Sequence, residues 1–340
     1  MPFVSYYKAA RKQKRSNRLK GRPAWQDVVP DSKQGKDAYA IAAKYEKAFS
    51  RAFLDVVRNL ITPEISKDFL RAYRAGNMGE ALNAFPYFTE DPEAKIWEKF
   101  TDRLAVAYGT VIQAAGDAST RDLNKKFKTD FKFYTLPPEP EAEVLKGRDD
   151  VRRAAAGMTV NINPYSIQWI KDRGLELVTQ SITAQQKQVV TDTIFNAMEI
   201  GARPTDALAT IKANIGLTAR DAKAVARRHL LHLEQGMSPG QAEALANKYS
   251  EKLLTNRANM IARTETIAAQ AQGRKAAWQV AQDSGNLPSV QRRWMAPPAS
   301  PNPNRPCDIC LELDGSTALI NEPYDSAYIG YIDGPTAHPG

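Results

Sequence analysis

Between Ser250 and Gln282 the chain is dominated by alanine, with Leu254, Ala258, Ile261, Ala268 and Ala271 along one stripe. That periodicity predicts a long helix, and its methyl side chains let neighbouring helices approach closely. Such a pillar needs partners along its length, and the preceding sequence is punctuated as if to supply them. Thr183-Ala184-Gln185-Gln186 reads as a capping box, and Gly201 closes the helix it opens. Thr218-Ala219-Arg220-Asp221 opens another helix that Gly236 ends, and Ser238-Pro239-Gly240-Gln241 joins a cap, a first-turn proline and a third-position glutamine. These signals place a compact helical domain at residues 161–283.

Upstream, residues 36–116 read as a second helical region. Ala40, Ala43, Ala48, Phe49, Ala52, Phe53 and Val56 recur at helical spacing up to Asn59. Thr62-Pro63 then caps and starts a helix to about Ala75. A third is expected from about Pro92 to Ala115, with Ile96, Trp97, Phe100, Leu104, Ala107, Tyr108 and Val111 on its apolar face. Residues 117–160 are charged and irregular around Thr135-Leu136-Pro137-Pro138-Glu139-Pro140, which predicts a linker. Residues 284–340 form a Pro-rich module with short strand-like pieces. The expected fold class is mainly α: a bundle-like helical body, an extended basic N-terminal arm at residues 1–35, and a small irregular, strand-poor C-terminal module.

The net charge is concentrated at one end. Of the formal +9, residues 1–26 supply +8 through Lys8, Arg11, Lys12, Lys14, Arg15, Arg18, Lys20 and Arg22, with no acidic side chain among them. The remainder is nearly neutral. Phe3, Tyr6, Tyr7 and Trp25 are interleaved with the cations, a composition suited to stacking on bases or filling a partner's pockets. No apolar run approaches the roughly 18–20 residues that span a bilayer, and no apolar segment follows the basic N-terminus as in a secretory signal. No membrane partner is therefore expected.

Chemistry-bearing residues cluster late. Arg263-Thr264-Glu265-Thr266 lies on the pillar, where positions two apart diverge by about 200° and cannot pair with each other. Arg263 and Glu265 are read as structural anchors to different neighbours, along with Trp278 and Trp294. The competing reading is a metal-dependent enzyme or one that uses Arg263 and Glu265 as its catalytic pair, a toxin-like hydrolase or transferase, but no nucleophile or glycine-rich loop accompanies them. Cys307-Asp308-Ile309-Cys310 has the spacing of half a structural zinc site. His338 is a candidate third ligand, and Asp314 a carboxylate able to serve as a fourth. A disulfide or two thiols are the alternatives. His229 and His232 read as the half-exposed polar edge of a helix.

The order of these pieces resembles one family, the Mu F-like and SPP1 gp7-like head-morphogenesis proteins, which are minor head proteins of tailed bacteriophages. The resemblance runs from Asn163-Pro164-Tyr165 through Trp169 and Arg173-Gly174 to the Ile261–Thr266 run. It continues through a tryptophan, the CxxC pair, Leu313-Asp314-Gly315 and His338-Pro339-Gly340, where the family pattern next places a cysteine. The chain therefore reads as truncated within that motif. The resemblance implies a non-enzymatic virion protein in the head interior near the portal vertex, assembled in the host cytoplasm. The implied partners are the portal protein, the major capsid or scaffold protein, and packaged DNA met non-specifically. Its implied roles are head assembly and DNA packaging or ejection.

Overall fold

The computed structural model describes residues 33–85, 95–130, 132, 166, 169–170, 172–173, 184–285, 287, 289–294, 308–328 and 330–332. Residues 1–32, with the eight cations of the basic arm, lie outside them, as do Pro137-Pro138, Cys307 and His338, whereas residues 33–35, expected to end the extended arm, already belong to the first helix. Among the described residues the protein is mainly α, with nine helices and four three-residue strands. The helices are α1 (Lys33–Asn59), α2 (Pro63–Arg74), α3 (Met78–Asn83), α4 (Lys95–Phe127), α5 (Ala184–Glu199), α6 (Pro204–Asn214), α7 (Ala219–Glu234), α8 (Pro239–Asp283) and α9 (Asp308–Leu313). The chain divides into two compact units, Met1–Lys44 and Tyr45–Gly340. The described part of the first is the opening of α1, and the packing around the site lies within the second. No described helix is long and apolar enough to cross a membrane.

Helix ends follow local chemistry. Thr62 Oγ1 accepts from Ile65 N at 3.3 Å, so α2 begins at Pro63 with its cap in place. Thr218 Oγ1 accepts from Asp221 N at 3.1 Å, and Ser238 N donates to Gln241 Oε1 at 3.2 Å. Gly201 and Gly236 end α5 and α7 with φ of +64° and +79°. The short α3 had no forecast, although Asn77 Oδ1 caps it by accepting from Glu80 N at 3.1 Å.

Three expectations need correction. The linker does not begin at residue 117, because α4 continues through Phe127 with Thr120 and Leu123 buried. Leu123 packs with Val280, Ala281 and Leu287 at the far end of α8, which makes continuing the helix favourable. The helix expected at Ser238 and the pillar expected at Ser250 are one helix of 45 residues, roughly 68 Å long at 1.5 Å per residue. Gln186 does not cap α5; its side chain is fully buried and turned toward the loop after α6.

The burial line of α8 explains how one helix organises the body. Ala242, Ala246, Ser250, Leu254, Ala258, Ala262 and Thr266 are buried at four-residue intervals. A four-residue step overshoots a 3.6-residue turn by about 40°, so the line winds around the helix. Successive stretches consequently face different partners, and the straight stripe fails at Ile261 and Ala271, which are half-buried. Ser50 opposite Asn259 and Arg58 opposite Glu251 set α1 antiparallel to α8. Further along, Tyr108 lies opposite Glu265, Ile112 and Ala115 opposite Gly273, and Leu123 opposite Val280, so α4 runs parallel to α8. At Gly273 a Cβ would sit 2.4 Å from the Ile112 carbonyl oxygen, so the two backbones touch where only hydrogen fits.

The C-terminal module is small and poor in strand. β1 (Gln291–Arg293) pairs antiparallel with β2 (Thr317–Leu319), and β3 (Tyr324–Ser326) with β4 (Gly330–Ile332). Trp294 is buried at its centre with Leu313, Ala318 and Tyr324, meeting the Tyr324 ring edge-on at 5.2 Å. Glu312 closes the module by accepting from Ser326 Oγ at 2.7 Å and Ala327 N at 2.6 Å.

Candidate functional site

Two buried polar knots sit on α8, and the first contains Glu265. Arg173 donates to it twice, from Nε to Oε2 at 2.9 Å and from Nη2 to Oε1 at 2.8 Å. The Tyr108 hydroxyl donates to Oε2 at 2.6 Å. The Glu265 side chain is 2% exposed and that of Arg173 is 19% exposed, so the pair is nearly closed to water. Aromatic rings wall it: Phe49 stands 5.0 Å from Tyr108, and Trp169 meets the same ring edge-on at 5.4 Å. Both carboxylate oxygens are occupied by forked, charge-assisted bonds, which makes Glu265 a tie between α8, α4 and the Trp169–Arg173 segment. A carboxylate so enclosed is poorly placed to exchange a proton with a substrate.

Arg263 addresses a different neighbour. Its charge acts on Glu46 of α1, whose carboxyl is pushed up to about 6 by burial while Arg263 pulls it back down. The charge of Arg263 thus reaches Glu46 on α1, whereas Glu265 is bonded to Tyr108 of α4 and to Arg173.

The second knot fixes the loop between α6 and α7. Gln186 accepts from Gly216 N at 2.7 Å and donates to the Leu217 carbonyl at 3.0 Å. Arg257 donates to the Gly216 carbonyl at 2.6 Å and lies 5.7 Å from the Phe53 ring centroid. Burial pushes the Arg257 guanidinium down to about 10, against the opposing charge of Asp221. Gly216 has φ of +83°, and a Cβ there would lie 2.4 Å from Val57 Cγ1 and 2.7 Å from Leu254 Cδ1. Gln186 and Arg257 thus meet the Gly216 N–H and the Gly216 and Leu217 carbonyls, while Ile215 N and Leu217 N donate to the Ile211 and Asn214 carbonyls at 2.9 and 3.1 Å.

The remaining candidates fall elsewhere. Trp278 is half-buried at the end of α8 against the Leu123–Leu287 cluster, and Trp294 belongs to the C-terminal module. Of the zinc candidates Cys310 and Asp314 are described; Cys310 is half-buried against the Trp294 cluster and Asp314 is exposed. Among the described residues no three His, Cys, Asp or Glu side chains gather as a metal site. His229 and His232 are half-buried on α7. Sequence reasoning missed Tyr108, Gln186 and Arg257 as polar ties. A tyrosine within an apolar stripe was the available signal for the first, since a buried hydroxyl needs a partner. No protein-family model, curated protein or solved structure matches the chain.

Proposed function

We propose that this protein is a structural, non-enzymatic minor head protein of a tailed bacteriophage. In this reading it sits in the head interior near the portal vertex and acts in head assembly and in DNA packaging or ejection. The observation that carries it is the Glu265 knot. Trp169 and Arg173 come from one phage-like segment and Glu265 from the other, and they meet as a buried tie. Residues that serve as folding ties suit a structural component. For the Arg263/Glu265 enzyme reading to operate, Glu265 would first have to release Arg173 or Tyr108.

The N-terminal arm supplies the DNA contact of this proposal, because eight cations without an acid neutralise phosphates without reading bases. The portal and the major capsid or scaffold protein are its proposed protein partners. Cys307, Cys310 and His338 remain candidate zinc ligands within the proposal, zinc serving there as a staple for a small module. Heads assembled with and without this protein test the reading. The expected result is a loss of DNA-filled, infectious particles when it is missing. Equal yield, DNA content and infectivity in its absence would overturn it.

A further inference from the structure

The helical body carries an exposed apolar seam between α5 and α7. These helices lie side by side and run parallel. Gln186 reaches the Leu217 carbonyl just before α7, and six residues later on both chains Asp192 meets Lys223 at 3.9 Å. The Asp192–Lys223 pair is partly exposed, so it marks the solvent side of the seam. Phe195 and Glu199 follow Asp192 at the i+3 and i+7 positions, while Arg227 and Leu230 follow Lys223 at i+4 and i+7. Helical spacing therefore returns all four to that same side. Ile200 and Leu231 adjoin them. Phe195 is 56% exposed, Ile200 78%, Leu230 58% and Leu231 48%, far above what large apolar side chains on a packed helix show. Large side chains gathered in this way mark an interaction surface rather than scattered surface residues.

The charges along the seam say what covers it. The α5 side carries Asp192 and Glu199, and the α7 side carries Lys223 and Arg227, with the exposed Glu234 at its far end beyond Leu230 and Leu231. A two-fold rotation about an axis along the seam lays the α5 side of one copy over the α7 side of its partner at the same height. That operation brings Glu199 of each copy within reach of Arg227 of the other. It also sets Phe195 and Ile200 over Leu230 and Leu231. An isologous interface requires this kind of self-complementarity. We propose that the α5–α7 seam pairs two copies of this chain through a four-helix contact with a charged rim and an apolar centre.

The test is the molar mass of the full-length protein, measured by light scattering over a concentration series. The proposal expects a shift to twice the chain mass with rising concentration. Leu230→Glu should give the single-chain mass at every concentration with unchanged helical circular dichroism, since the side chain is exposed. Arg227→Glu should weaken pairing about tenfold, and adding Glu199→Arg in the same chain should restore it, because the rotation sets these positions against each other. A wild type that stays single at all concentrations would overturn the proposal. So would a Leu230→Glu variant that still pairs, or a double charge reversal that fails to recover. Crosslinks through Phe195 and Leu230 to a different protein, with no self-pairing, would assign the seam to another partner and overturn it equally.

Discussion

Glu265 and Arg173, 92 residues apart in the chain, meet as a forked ion pair at 2.8 and 2.9 Å inside the protein. This pair, with Tyr108 beside it, holds α8, α4 and the Trp169–Arg173 segment in one arrangement. Buried pairs of this kind contribute less to net stability than to fixing which surfaces meet, because desolvation offsets much of the attraction.

Removing one member of the pair leaves the other charge buried and unmatched. Glu265→Ala and Arg173→Ala should each destabilise the protein by ~3–5 kcal/mol in urea unfolding. Tyr108→Phe should cost ~1–3 kcal/mol, since Glu265 keeps both bonds from Arg173. The double variant lacking Arg173 and Glu265 should lose less than the sum of the single losses. Additive losses would mean the two side chains are not coupled.

Glycine substitutions should separate close packing from turn strain. Gly273→Ala drives a methyl group into the Ile112 carbonyl, 2.4 Å away, and should cost ~1–3 kcal/mol as α4 and α8 part. Gly216→Ala meets both a positive φ and the side chains of Val57 and Leu254, so it should be the more damaging. Gly201→Ala has a positive φ but no atom within 4 Å, and should cost only ~1 kcal/mol. Thermal unfolding of the three variants gives the ranking.

Glu46 should give stability a measurable dependence on pH. Its carboxyl titrates near 6 in the folded protein, above its ordinary 4.5. The folded state therefore holds this proton more firmly than the unfolded chain does. The stabilisation is present below about 4.5 and is lost as pH rises through about 6. Discounted for partial solvent screening, the effect amounts to ~1 kcal/mol. Glu46→Gln should remove this component, so the wild-type and variant stability curves should diverge between those two pH values. Parallel curves would contradict it.

The arm should bind DNA as a salt-sensitive polycation. If all eight cations of residues 1–26 reach phosphates, log K should fall with log salt at a slope of about −7 on duplex DNA. Deleting residues 1–26 should abolish that slope, and fluorescence anisotropy across a salt series measures it. Affinity that survives the deletion would place DNA binding elsewhere.

Helix ends were readable because a cap is a local event. Thr62, Thr218, Gly201 and Gly236 act within a turn or so of themselves, and the structure uses each as its chemistry suggests. Gln186 was misread because a capping pattern weighs only near neighbours, whereas the bonds it makes reach 30 and 31 residues onward. The same distance effect hid the Glu265 knot, whose partners lie 92 and 157 residues away. The end of α4 was missed for a different reason. Asp117, Arg121, Asp122, Lys125 and Lys126 give the segment the composition of a linker, yet burying Thr120 and Leu123 is enough to anchor it. The winding of the α8 burial line was latent in the four-residue spacing of its small side chains, although a straight stripe was expected.

The proposed role as a head protein is tested most directly by crosslinking mass spectrometry on intact phage heads. It predicts crosslinks from this chain to the portal or the capsid shell, retained after the DNA has been digested. Purified heads without this chain, or with crosslinks only to soluble contaminants, would contradict the account.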